Sequence, residues 1–222
     1  MELSGSLFHV AWLWWFGAIY IPALLLALKW GRWRQLLQDS SRQHLFFGSI
    51  VLLYALWHLR VEMLPGFYWH LSGMVIITLM FGWSRALVIG SLALLCIVLT
   101  GLNDWAGLLP SLVLCVLLPA SLTQVVLGIS RAYAPKHFFV YVLVDAFLAG
   151  AVIFLLMAGL ISGGLLLMGS YSWAELKHNF FSLAPMMMFP EAMFNGWITA
   201  LLVAFKPDWI SSFNDEEYLH GK

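Results

Sequence analysis

The sequence predicts an all-α fold, a polytopic transmembrane helix bundle of about seven spans with its N-terminus outside and its C-terminus in the cytoplasm. The chain is 62% hydrophobic and 10% charged, whereas about a quarter of the residues in a soluble domain are charged. Seven spans of about 20 residues would use about 140 of the 222 residues. That leaves short loops and no room for a soluble domain.

The distribution of basic residues predicts the orientation and the number of spans. When the apolar runs are counted as seven spans, nine of the eleven Lys and Arg residues fall on one side: Lys29, Arg32, Arg34, Arg42, Arg85, Arg131, Lys136, Lys206 and Lys222. Arg60 and Lys177 fall on the other side. Because basic residues near span ends are retained in the cytoplasm, the expected location is the inner (plasma) membrane, crossed several times.

The first two spans are residues 7–28 and 45–59, joined by a basic loop. The first run is roughly 22 residues long, lacks a preceding basic residue and has no small-residue cleavage pattern after it, so we expect an anchor rather than a signal peptide. The end of the second span carries His58 and is followed by Arg60.

The third and fourth spans come from the apolar stretch 67–101, which is interrupted by Gly82-Trp83-Ser84-Arg85. A single helix of about 35 residues would be roughly 52 Å long, far more than the ~30 Å hydrocarbon core. It would also place Arg85 at mid-depth, which is costly. We therefore predict two spans with a tight cytoplasmic turn at residues 82–85.

The last three spans are residues 107–129, 138–161 and 183–205. Within the sixth, Gly159 and Gly163 present a small-residue face suited to close helix packing. The whole chain is expected to be one integral membrane domain. Its parts are a first span with a basic loop (1–44), a helical core (45–206) and a polar tail (207–222) with the acidic run Asp215-Glu216-Glu217.

Composition and missing motifs exclude several functions. A net charge of zero argues against nucleic acid as a partner. Cys96 and Cys115 both lie in apolar runs, so they are expected to be small core residues rather than a disulfide or a thiolate metal site. The sequence has no His-Glu-x-x-His, Gly-x-Ser-x-Gly or phosphate-loop motif. No enzyme activity, catalytic residue or bound cofactor is therefore predicted, and active transport would need a partner subunit.

Ionisable residues inside spans are costly and therefore functional candidates. His58 and His70 flank one outer turn, and His9 and the Met1 amine are predicted at the same end. Such a nitrogen-rich set suits Ni, Co, Cu or Zn better than Mg or Ca. The alternative is three interfacial histidines bonded to backbone.

Two intramembrane carboxylates are the other candidates, with Asn195 as a polar companion. Asp145 is predicted near the cytoplasmic end of the sixth span, where we favour a packing role over a proton or cation station. Glu191 follows Pro190, and a helix interrupted there would free carbonyl groups. A functional role is therefore more plausible for Glu191.

Two stretches resemble the CbiM/NikM family, the substrate-capturing membrane subunits of energy-coupling-factor (ECF) cobalt and nickel transporters. One is Trp69-His70-Leu71-Ser72-Gly73, opening helices that end in Leu102-Asn103-Asp104-Trp105-Ala106-Gly107. The other is the pattern Pro-x-Ala-x-x-x-Gly-x-x-Thr at residues 190–199. The likeness covers roughly residues 45–206. It implies a Co or Ni type cation as substrate, and ECF transmembrane and ATPase subunits as partners in the lipid bilayer.

The resemblance also implies a metal site, from which this sequence departs. In the family, nitrogen ligands come from an N-terminus that begins Met-His and from the histidine that His70 matches. Here the chain begins Met1-Glu2-Leu3, and Asn195 stands where an acidic residue is usual. The asparagine expected after the outer turn is also missing. The sequence therefore leaves open a member with another cation or one without metal.

The sequence thus predicts a permease subunit that captures a divalent transition metal at His70, with His58, His9 or the Met1 amine completing the site. One alternative is a haem-binding or redox membrane subunit that uses His58 and His70 as axial ligands. A second is a non-transporting scaffold subunit that binds other subunits through Gly159, Gly163 and the acidic tail.

Overall fold

The computed structural model describes residues 1–214. The acidic run 215–217, His220 and Lys222 lie outside the described residues. The helices are α1 Val10–Trp30, α2 Trp33–Leu37, α3 Ser40–His58, α4 Met74–Leu99, α5 Trp105–Tyr133, α6 Phe138–Leu167, α7 Trp173–Leu176 and α8 Ala184–Phe205. π-Helical stretches occur within α5 at Leu112–Leu117, within α6 at Tyr141–Leu148 and after α7 at Lys177–Phe181. The all-α membrane bundle is confirmed.

A small antiparallel sheet lies at one end of the bundle. Its strands are β1 Glu2–Leu3, β2 Val61–Leu64 and β3 Phe67–Trp69, in the order β1-β3-β2. In β1, Glu2 is opposite Tyr68 and Leu3 is opposite Phe67. The sheet therefore holds the start of the chain beside the segment that leads into α4.

By length and composition, five helices within residues 1–214 could cross a bilayer: α1, α4, α5, α6 and α8, with α4 counted here from end to end. The sixth long helix, α3, packs along α4. It begins Ser40-Ser41-Arg42-Gln43-His44, and these polar residues lower its mean hydropathy. The protein is therefore a multi-pass membrane protein.

The chain reverses direction within α4, at Gly82. This residue has φ 75° and ψ 166°, outside the helical region, a conformation that glycine adopts without a Cβ clash. A Cβ added to Gly90 would lie 3.2 Å from the Met74 sulfur, although a straight helix would separate the two residues by about 24 Å. The segments on either side of Gly82 therefore form a helical hairpin. Its turn lies within residues 82–85, where the sequence predicted a turn.

Hydrogen bonds join the basic loops at one end of the bundle. The Arg85 guanidinium donates to the Gly31 carbonyl over 2.8 Å, and Arg131 donates to the Ser212 carbonyl over 2.7 Å. The Ser211 amide donates to the Met80 carbonyl over 3.0 Å. The loop after α1, the hairpin turn and the segment after α8 thus share one end, in agreement with the charge pattern. Its cytoplasmic orientation stays a prediction.

The opposite end carries the sheet and the outer turn before α5. Asp104 accepts a hydrogen bond from the Ser4 hydroxyl at 2.6 Å. The Ser170 hydroxyl donates to the Leu7 carbonyl at 2.9 Å, and the Tyr171 hydroxyl donates to the Pro65 carbonyl. The N-terminal segment is thus bonded to the turn before α5 and to the loop after α6, and that loop is bonded to the turn between β2 and β3.

The small-residue face of α6 is open within the described chain. If a Cβ were added to Gly159, Gly163 or Gly164, no atom of residues 1–214 would lie within 4 Å of it, apart from neighbouring residues of the same helix. Leu160, on the same helix, is exposed. Close packing at this face therefore stays a prediction that concerns another chain.

Candidate metal site

The N-terminus enters the interior of the bundle beside α5. The Leu3 amide donates to the Ser111 hydroxyl at 3.2 Å, and the Asn103 amide group donates to the Leu3 carbonyl at 3.3 Å. Met1, Glu2 and Leu3 are all buried. Strand pairing and these side-chain bonds together place the Met1 amine inside the protein.

The Met1 amine lies 3.1 Å from Nε2 of His70, whose side chain is 5% exposed. The other ring nitrogen, Nδ1, lies 2.9 Å from the Leu71 carbonyl oxygen. A carbonyl only accepts hydrogen bonds, so Nδ1 carries the proton and donates it. Nε2 is therefore left with a lone pair directed at the amine.

The surroundings of His70 favour the neutral imidazole. Burial is the largest cause that holds the pKa of His70 well below its usual value, and the positive charges of the Met1 amine and Arg60 lower it further. The bond to the Leu71 carbonyl acts in the opposite direction. A neutral imidazole is the form that binds metal ions.

A cavity of about 30 Å³ adjoins these two nitrogens. Its polar lining comes from Met1, His70, Ser72, Cys115 and Glu191, and the rest of the lining is mostly apolar. A space of about 10–15 Å³ or more accommodates a water molecule. The cavity is thus large enough for a single small ion and too small for an organic cofactor.

Glu191 and Asn195 of α8 hold the segment that carries His70. The Glu191 carboxylate accepts hydrogen bonds from the Ser72 amide at 2.7 Å, the Gly73 amide at 3.2 Å and the Asn195 side chain at 2.9 Å. Asn195 in turn accepts from the Ile76 amide at 3.0 Å. These bonds satisfy backbone donors at the start of α4 and fix the His70–Gly73 segment against α8.

Glu2 is directed to a different partner. One carboxylate oxygen pairs with the Arg60 guanidinium at 2.9 Å, and the other has no hydrogen-bond partner within residues 1–214. Arg60 also donates to the Leu102 carbonyl and lies 4.2 Å from the centre of the Tyr68 ring. Glu2 is absent from the cavity lining.

The structure brings Met1 and His70 together but places His9 and His58 elsewhere. His9 is exposed at the start of α1, where its ring accepts from the Ala11 amide at 3.4 Å. His58 is exposed at the end of α3, with its ring 5.9 Å from that of Tyr54. Neither residue lines the cavity.

Asp145 lies towards the basic end of the bundle, within α6. Its side chain is 1% exposed and accepts one hydrogen bond, from the Ser130 hydroxyl at 3.1 Å. The other carboxylate oxygen has no partner among the described residues. Asp145 takes no part in the Met1–His70 cavity.

Two residues that sequence reasoning did not single out contribute to this region, Cys115 and Arg60. Among residues 1–214, no three His, Cys, Asp or Glu side chains form a metal-binding group, so a nitrogen-rich site here depends on the backbone amine. The sequence contained one indication that Arg60 has a special role, because it lies on the predicted side of the membrane that carries few basic residues. Nothing in the sequence indicated that Cys115 would lie beside Met1.

Comparison with protein families gives one match. The sequence model of the CbiM family, described as the cobalt uptake substrate-specific transmembrane region, matches residues 3–209. The match includes the first span, so it is longer than the predicted likeness over residues 45–206. No curated protein matches the chain.

Proposed function

The chain belongs to the CbiM family of cobalt-uptake transmembrane components, and on that premise we propose that it captures a divalent metal ion for an ECF-type transport system. The proposed ligands are the Met1 amine and Nε2 of His70, and the proposed substrate is Co²⁺ or Ni²⁺. The observation that carries the proposal is the 3.1 Å approach of these two nitrogens at the wall of a buried cavity.

The chemistry of the two nitrogens supports this assignment. Metal–nitrogen bonds are about 2.0–2.1 Å long, so two nitrogens 3.1 Å apart are suitably spaced to be neighbouring ligands of one ion. Nitrogen donors favour Co²⁺ and Ni²⁺ over Mg²⁺ and Ca²⁺. The Leu71 carbonyl orients the ring, as partners of the second ring nitrogen do in metal sites. The amine must lose its proton, so binding releases protons.

The sequence also supports a partner that supplies energy. It contains no phosphate-binding loop, so hydrolysis of a nucleotide would take place on another subunit. In an ECF system that partner comprises a transmembrane subunit and ATPases. The open face at Gly159 and Gly163 is a suitable contact for a partner helix, because small residues allow close approach.

Titration of the purified chain with Co²⁺ and Ni²⁺ tests the proposal. We expect the wild type to bind, and His70→Ala to lose at least about tenfold in affinity. His58→Ala is the matched control, because this exposed histidine should not affect binding. Wild-type protein that binds neither ion, or equal affinity in His70→Ala, would overturn the proposal.

The haem alternative gains no support from these positions. An axial pair would need both His58 and His70 beside one pocket, but His58 is at the surface. The cavity next to His70 has a volume of about 30 Å³, far below that of a cofactor pocket, which is about 300 Å³ or more. The scaffold alternative predicts that the wild-type protein binds neither Co²⁺ nor Ni²⁺ in the titration.

A further inference from the structure

We infer that Cys115 is a third ligand of this site, so that the site takes thiophilic divalent cations through two nitrogens and one sulfur. This inference rests on the proposed function and specifies the substrate class. The sequence alone indicated that Cys115 was a small core residue. The structure places it at the wall of the Met1–His70 cavity.

The position of Cys115 in α5 is coupled to the position of the N-terminus. Its side chain is 4% exposed and its sulfur contacts the Met1 carbonyl oxygen. Ser111, four residues earlier and therefore on the same helix face, holds the Leu3 amide at 3.2 Å. One face of α5 thus holds strand β1 through the Ser111 hydroxyl and places the Cys115 thiol beside Met1.

The local backbone of α5 fits a binding role. Cys115 lies in the π-helical stretch Leu112–Leu117, and short π-helical segments within α-helices occur frequently at functional sites. Cys96 provides the contrast. It is only half-buried, it lies in a regular part of α4, and it is absent from the cavity lining.

Glu2 stands where the CbiM/NikM family has a histidine, so the site lacks one nitrogen donor and has room for another ligand. The N-terminus begins Met1-Glu2, and the Glu2 carboxylate is engaged by Arg60 at 2.9 Å rather than lining the cavity. The amine and His70 are therefore the two nitrogen donors at the cavity. A cysteine thiolate adds a soft donor, which favours Zn²⁺ and similar borderline ions over hard ions such as Mg²⁺ and Mn²⁺.

The proton balance of binding follows from this ligand set. The amine binds as the neutral –NH₂ group and the thiol binds as the thiolate, so each loses one proton to the solvent when the ion enters. His70 keeps its Nδ1 proton in the bond to the Leu71 carbonyl and would bind through Nε2, so it releases none. No electron transfer occurs, and the ion keeps its oxidation state.

Absorption spectroscopy of the Co²⁺-loaded protein tests the inference, because a cobalt–thiolate bond produces a charge-transfer band in the near ultraviolet. We expect the band in the wild type and in Cys96→Ser, which is the matched control. Cys115→Ser and Cys115→Ala should lose the band and bind Co²⁺ at least about tenfold more weakly. Two replacements guard against a folding defect specific to one of them.

A second measurement uses Cys115 itself. In Cys96→Ser, Cys115 is the one cysteine left of the two in the chain, and bound Co²⁺ should protect it from alkylation. Binding of Co²⁺ without the band, or without this protection, overturns the sulfur ligand and leaves the proposed function intact. Wild-type protein that binds no Co²⁺ overturns both.

Discussion

Glu191 and Asp145 are both carboxylates buried within membrane-spanning helices, yet their surroundings differ. The Glu191 carboxylate accepts three hydrogen bonds: two from backbone amides before α4 and one from the Asn195 side chain in the next turn of α8. Asp145 accepts one, from Ser130, and keeps an oxygen without a partner among the described residues. A fully bonded polar network rigidifies its surroundings, whereas a partly bonded one carries the cost of burial. Glu191 therefore holds the segment that carries His70, while the one bond of Asp145 joins it to Ser130.

Glu2 is intermediate between these two. One of its oxygens is paired with Arg60, and the other has no partner within residues 1–214. Glu191 thus has three donors, Glu2 has one charged donor, and Asp145 has one neutral donor. The following predictions test whether the number and charge of these partners determine the effect of substitution, from the largest effect to the smallest.

Glu191→Ala should have the largest effect. It would leave the Ser72 and Gly73 amides without their acceptor, at about 1–3 kcal/mol for each, and remove one of the two acceptors of the Asn195 side-chain amide. We expect a loss of about 5 kcal/mol in the free energy of unfolding and loss of Co²⁺ binding, measured by denaturant titration and calorimetry. Glu191→Gln keeps one acceptor oxygen and should retain part of both. Unchanged Co²⁺ affinity in Glu191→Ala would show that the His70 segment is held by other contacts.

Arg60→Ala should have an intermediate effect. It would leave the fully buried Glu2 carboxylate without its partner, and breaking a buried pair costs about 3 kcal/mol or more. Thermal unfolding of the double variant Arg60→Ala with Glu2→Gln should recover most of this loss, since no charge is then stranded. Lys177→Ala, at an exposed cation of the same end, is the control. An equal loss in the double variant would contradict the pairing as the cause.

Asp145→Asn should change the free energy of unfolding by less than about 1 kcal/mol. The substitution replaces a buried carboxyl group that has one hydroxyl partner, and an amide can still bond to Ser130. Co²⁺ affinity should equal that of the wild type, because Asp145 does not line the cavity. If transport by the complete system stops while binding and stability are unchanged, Asp145 acts as a proton or cation station rather than in packing.

Asp104→Asn should have the smallest effect, visible as a change in pH dependence. Burial tends to raise the pKa of Asp104, but hydrogen bonds from the Ser4 hydroxyl and the Gly107 and Gly5 amides outweigh it and lower the pKa. A lowered carboxyl pKa stabilises the fold at neutral pH, and this stabilisation is lost as the pH falls through that pKa. Unfolding temperatures from neutral pH to about pH 3 should fall less steeply in the variant. Parallel curves for the two proteins would exclude a role for this carboxylate.

The comparison of these sites shows how far sequence reasoning extends. The multi-pass bundle followed from composition, and the reversal at Gly82 followed from the length of the apolar stretch and the position of Arg85. The likeness of the His70 and Glu191 segments to the CbiM family is confirmed by the family match. These conclusions depend on local composition and on the bilayer, which restricts the possible folds strongly.

The contacts within the site were less accessible. His9, His58 and the Met1 amine were all predicted at the outer end, yet only the amine reaches His70. Span topology assigns an end of the bundle to each residue, but not the direction of its side chain. Glu191 illustrates the same limit: the sequence favoured a functional role for it over one for Asp145, whereas its bonds to the Ser72 and Gly73 amides depend on the packing of α8 against the start of α4.

By itself the sequence determined that this protein is a helical membrane bundle with its basic loops at one end, because hydrophobicity and charge act on each segment almost independently of the others. Only the tertiary structure decided that Met1, His70 and Cys115 share a cavity while Glu2 turns to Arg60. These residues are far apart in the chain, and they meet because a short sheet and one face of α5 hold the N-terminus inside the bundle. No local pattern encodes such a meeting, since it arises from the packing of all the elements together.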